Sequence, residues 1–200
     1  MIRKIIIACL LTLLASHSIW ASTSLQATVD TSSIAGQTGW LDFQFNPADF
    51  NAPSAATTIT AVNSNGTLLS SVTASGDVSG NLGSALVLGN SQAFNDWLQG
   101  FTFGNSLSFL FNIDVPLTNT SGSGTAFSLS LYDSAFNSLL ADSIWGAALV
   151  VNANDNGSTD ILGQSAQVSL STPSAVPEPQ TLSLFLTGLG LLGLRRYRKQ

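Results

Sequence analysis

The sequence predicts an all-β fold: one antiparallel β-sandwich, jelly-roll-like, with a cleaved signal peptide before it and a transmembrane helix after it. Three observations predict this. Apolar residues in the middle of the chain recur at every second position, the period of a half-buried strand. Turn signals rich in Gly and Asn separate these runs. No stretch carries the 3.6-residue periodicity of a long amphipathic helix, and there is no internal repeat.

The N-terminus opens with a short basic region at residues 1–4 and continues with an apolar run at 5–14. That run has signal-peptide length and is too short to span a bilayer comfortably. Small residues follow, so cleavage is expected after Ala21, with Ser18 the alternative and an uncleaved anchor the bland reading. Cys9 comes too early in the apolar run for a convincing lipid-attachment site and is expected to leave with the signal. Export through the Sec machinery follows.

Residues 22–171 form the predicted sandwich. Leu41, Phe43 and Phe45 alternate with Asp42 and Gln44. Leu107, Phe109, Phe111, Ile113 and Val115 alternate with mostly polar residues, as do Phe127, Leu129 and Leu131. Val168 and Leu170 continue the pattern. Shorter β-rich runs lie at 57–62, 68–72 and 85–88, and 147–151 reads as a more fully buried strand. Asn65-Gly66 and Asn156-Gly157 suit tight hairpins, where positive φ is needed. Ser121-Gly122-Ser123-Gly124 reads as a flexible loop. Residues 93–98 suit one helical turn with Phe94, Trp97 and Leu98 on one side. Strand order cannot be read from these patterns.

Residues 172–176 read as a linker, and residues 177–200 as a separate C-terminal unit. It begins Pro177-Glu178-Pro179, whose prolines stop a helix from running back into the body. An apolar, Gly-containing helix is expected at 181–194. At 1.5 Å per residue it reaches roughly 21 Å, short of a ~30 Å hydrocarbon core. Snorkelling side chains and local thinning can close that gap. The basic tail at 195–200, with Arg195, Arg196, Arg198 and Lys199, is expected to stay cytoplasmic and leave the body outside.

Charge narrows the function further. Hydrophobic residues make up 44% of the chain and charged residues only 8%, against roughly 25% charged in a typical soluble domain. Between residues 22 and 176 there are ten aspartates and no Lys, Arg, His, Cys or Glu, a formal charge of −10. Nucleic acid needs basic residues to displace phosphate counterions, so it is not a partner. Disulfides and His/Cys zinc sites are excluded from the body.

Together, Pro177-Glu178-Pro179, the Gly/Leu-rich helix and the terminal Arg-Arg-Tyr-Arg-Lys resemble the PEP-CTERM sorting signal of Gram-negative bacteria. The resemblance covers about the last 25 residues. It implies recognition by exosortase, a membrane-embedded peptidase or transpeptidase, with transient residence in the inner membrane. The tail would then be removed and the body delivered to the cell surface or extracellular matrix. A permanent transmembrane anchor is the plainer alternative. It also connects such proteins with exopolysaccharide and biofilm. The segments 40–47 and 127–133 are similar to those of one recurrent set of PEP-CTERM proteins, which implies a single β domain and adds no catalytic residue.

Catalysis is hard to assemble from the body. Ser–His–Asp and Cys–His arrangements cannot exist there, and no Lys or Arg can clamp a phosphoryl group. An Asp-based glycoside hydrolase is the remaining enzymatic reading, and no pattern pairs two aspartates for it. The expectation is therefore no enzyme and no cofactor. Calcium is the metal to consider, since it takes oxygen ligands. Asn152, Asn154, Asn156 and Asp160 resemble the first half of a calcium loop, but Gly163 stands where a bidentate Glu is needed; a polar hairpin is the plainer reading. Asp30, Asp42 and Asp133 are further acids that the fold could bring together. Trp40, Trp97 and Trp145 are candidate glycan contacts if exposed, and ordinary core residues if not. The expected role is structural or adhesive, with a carbohydrate-binding module as the alternative.

Overall fold

The computed structural model describes residues 20–116 and 124–173. The signal segment before Trp20, residues 121–123 of the expected loop, the sorting motif at 177–179, the expected helix 181–194 and the basic tail lie outside them. Among the described residues, no helix is long and apolar enough to cross a membrane.

Thirteen strands make up the described body: β1 (Trp20–Asp30), β2 (Thr38–Pro47), β3 (Ala56–Ser64), β4 (Thr67–Ser75), β5 (Val78–Gly80), β6 (Ala85–Gly89), β7 (Asp96–Thr102), β8 (Ser106–Pro116), β9 (Thr125–Asp133), β10 (Ser138–Leu139), β11 (Leu149–Ala153), β12 (Thr159–Gln164) and β13 (Val168–Ser171). The only helical element among the described residues is a single 3-10 turn, Ser32–Ile34. One sheet runs β13-β1-β8-β3-β6-β5 and the other β12-β11-β9-β2-β7-β4, with β10 added beside β9. The β1-β8-β3-β6 order in one sheet and β2-β7-β4 in the other follows jelly-roll wiring. It departs at β5, which pairs β6 and does not join β4. Strands β9, β11 and β12 extend the second sheet beyond β2, and β13 extends the first beyond β1.

The two-residue alternation produces the core. On β8, Leu107, Phe109, Phe111, Ile113 and Val115 are all buried. From the facing sheet come Leu41, Phe43 and Phe45 of β2, and Phe127, Leu129 and Leu131 of β9. Phe43 meets Phe109 edge-on at 5.3 Å between ring centroids, and Phe111 stacks on Phe127 at 4.6 Å. These rings join the two sheets, and burial of each side chain contributes about 2–3 kcal/mol before entropy is subtracted. Strand β11 is buried on both faces, as its unbroken apolar run suggests.

Two local expectations are corrected. Residues 93–98 do not form a helical turn, because Asp96, Trp97 and Leu98 belong to β7. The Asn95 amide donates to the carbonyls of Phe45 and Gln92, pinning the chain as it enters the strand. Trp97 then faces the core and Phe94 stays exposed. Asn65-Gly66 does not close a hairpin either, since it joins β3 of one sheet to β4 of the other. Asn65 Oδ1 accepts the backbone N–H of Asn105 at 2.7 Å, tying this crossing to the one between β7 and β8. A Cβ at Gly66 would lie 2.4 Å from the Thr102 carbonyl oxygen, so glycine is required there by close approach. Asn156-Gly157 does turn the β11–β12 hairpin, with Gly157 at φ +80°.

Candidate functional site

The outer face of the second sheet gathers most of the chemistry. Strand β2 places Trp40, Asp42, Gln44 and Asn46 on that face, because alternate residues of a strand share a side. Neighbouring β9 supplies Tyr132, Ser130 and Ser128 opposite Trp40, Asp42 and Gln44. On the other flank, β7 supplies Gly100, Leu98 and Asp96 opposite the same three residues.

A chain of amides runs along β2. The backbone N–H of Asn95 donates to Asn46 Oδ1 at 2.7 Å, and Asn46 Nδ2 donates to Gln44 Oε1 at 3.0 Å. Gln44 Nε2 then donates to Asp42 Oδ2 at 2.6 Å. The first donor is a backbone N–H, so every amide in the chain has its orientation fixed by the one before it. The relay ends on a buried carboxylate. Burial pushes Asp42 up to about 6 against the opposing bond from Gln44, and the Asp96 charge adds to the rise.

This shift has a sign. The folded chain holds the Asp42 proton more tightly than the unfolded chain, so stability attributable to Asp42 falls as pH rises from about 4 to about 6. Two pKa units correspond to about 3 kcal/mol. In solution freed of divalent cations, Asp42→Asn is expected to flatten that part of the profile, leaving the variant more stable than the parent at pH 7. Urea denaturation at pH 4 and pH 7 measures the difference, and equal pH profiles for parent and variant would contradict it.

Next to this relay lies an open groove of about 300 Å³, lined by Gln44, Asn46, Ser128, Ser130, Tyr132 and Trp145 among others. Trp145 is held by the turn before β11. Asp142 Oδ1 accepts the backbone N–H groups of Ile144 and Trp145 at 2.9 and 3.0 Å. The indole lies over Gly163 of β12, where an added Cβ would come within 2.7 Å of Trp145 Cδ1. At 48% exposed, the ring is available to solvent. Trp40 is on the same face but covered, with Phe136 stacked on it at 5.5 Å and 13°. Trp97 is in the core at 9% exposure, and its indole N–H has no partner among the described residues.

The remaining sequence candidates occupy turns. In the β11–β12 hairpin, Asn154 Nδ2 donates to Ser158 Oγ and Asp160 Oδ2, Asn152 Nδ2 donates to Asn154 Oδ1, and Asn156 Oδ1 accepts the Ser158 N–H. These polar atoms bond one another within the turn. Asp133 caps the β9–β10 turn through Asn137 and the Ala135 N–H, and Asp30 accepts the Ser32 N–H. Hydrogen bonds from Asn137 and from Ser32 respectively lower these two carboxyls. Asp30, Asp42 and Asp133 therefore do not converge, and no group of three or more metal-binding side chains occurs among the described residues. The pair the fold does create, Asp42 with Asp96, has no sequence signal, because only the β2–β7 register brings the two acids together.

Residues 175–199 match the PEP-CTERM protein-sorting motif. No curated protein and no solved structure matches the chain. The motif implies export, processing by exosortase and display at the cell surface.

Proposed function

We propose that this chain is a non-enzymatic component of the cell surface or extracellular matrix, structural or adhesive, and linked to exopolysaccharide and biofilm. The carrying observation is the sorting motif at 175–199, which addresses a β-sandwich body to the outside of the cell. The signal peptide, a transient stay in the inner membrane through the apolar segment 181–194, and removal of the tail belong to this reading.

The groove favours a more specific version, in which the body acts as a carbohydrate-binding module. A solvent-accessible indole and a phenol ring stand beside serine hydroxyls and amides held in fixed orientation by the relay. Sugar rings offer apolar faces for the former and hydroxyls for the latter. The same lining speaks against a two-carboxylate glycosidase, since Asp42 and Asp96 are buried and neither lines the groove.

Trp145→Ala is expected to weaken retention on the producing cell's own exopolysaccharide about tenfold, a loss of roughly 1–2 kcal/mol for one exposed stacking ring. Affinity electrophoresis measures it. Unchanged mobility retardation in the variant would remove the groove from the binding surface, and no retardation of the parent would remove the carbohydrate reading.

A further inference from the structure

Asp30, Asp133 and Asp142 each accept nearby backbone N–H groups in turns. Asp42 and Asp96 are different. They are 5% and 8% exposed. Gln44 pairs with Asp96 across β2 and β7, so Asp42 and Asp96 stand one diagonal step apart on the same face. Asp42 Oδ1 and Asp96 Oδ1 are both buried, and neither has a hydrogen-bond partner among the described residues.

Buried carboxylate oxygens require a proton, a donor or a positive charge. The sequence restricts the supply, because residues 22–176 contain no Lys, Arg or His. No side-chain cation of the body can neutralise this pair. The amide relay adds a constraint: it satisfies Asp42 Oδ2 through Gln44 Nε2 and leaves Oδ1 free. The Gln44 oxygen is itself engaged by Asn46.

We propose that Asp42 and Asp96 form a binding site for a divalent cation of the calcium class, with water completing the shell. The donors are all hard oxygens, which suits calcium and offers nothing to a soft metal. With two carboxylates and few other protein ligands, affinity falls in the millimolar class of extracellular modules. The ion links β2 to β7 and neutralises two of the ten charges of the body. The site is separate from the β11–β12 hairpin, and it does not depend on the carbohydrate reading.

The test is thermal unfolding of the purified full-length chain in detergent, first in chelator and then in 10 mM calcium chloride. The midpoint is expected to rise about 4 °C with calcium and to return with chelator. Asp42→Asn and Asp96→Asn are expected to lose the rise, and Asp160→Asn to keep it. Equilibrium dialysis of the parent against radioactive calcium, which needs no variant to fold, is expected to give one ion per chain. No rise in the parent, a rise surviving in both the Asp42 and Asp96 variants, or no retained ion would overturn the proposal.

Discussion

Phe127→Ala is expected to destabilise the body by about 4 kcal/mol, lowering its melting midpoint by roughly 10 °C. Phe127 is fully buried and lies where the two sheets meet. It stacks on Phe111 at 4.6 Å and also neighbours Phe43 and Phe109, so its removal opens a hole among three rings that cannot all move together. The body has no cysteine from which to form a disulfide, so nothing covalent offsets the loss. The neighbouring Ser128→Ala, on the outer face, is expected to change stability by less than about 0.5 kcal/mol. Chemical denaturation of both variants checks the contrast. Similar small effects would mean that the inter-sheet core is not built around Phe127.

Replacement of Pro177, Glu178 and Pro179 by alanine is expected to abolish maturation. The triplet lies within the motif matched at residues 175–199. Alanine also removes two proline constraints from the approach to the apolar segment 181–194. The variant should accumulate as a tail-bearing form in the cell envelope, with mature-sized protein lost from the surface fraction. Immunoblotting of cell fractions with an antibody to the body measures this. Normal surface delivery of the variant would show that the triplet is dispensable.

The sandwich was legible wherever one strand face meets the core and the other meets solvent. Strands β2, β8 and β9 announced themselves through Leu41 to Phe45, Leu107 to Val115 and Phe127 to Leu131. Strand β7 did not, because its outer residues Asp96 and Leu98 are covered and its inner row contains Gln99. That glutamine is tolerated inside because its amide donates to the Leu69 carbonyl at 2.6 Å, where β4 slips register against β7. A polar residue placed for such a bulge breaks the alternation along β7. The Asp42–Asp96 pair was lost with it, since only β2–β7 register brings those acids together. Likewise, the exposure of Trp145 and the burial of Trp97 depend on the Asp142 turn and on strand order, neither of which a residue pattern encodes.

Under the proposed function, the body reaches the cell surface by losing both ends. The most direct measurement is the intact mass of the mature protein isolated from its native cells. The expected mass is that of a chain lacking residues 1–21 and everything beyond the 177–179 region, with any extra mass marking an attached group. A mass that still contains residues 181–200 would contradict it, making the C-terminal segment an anchor and not a sorting signal.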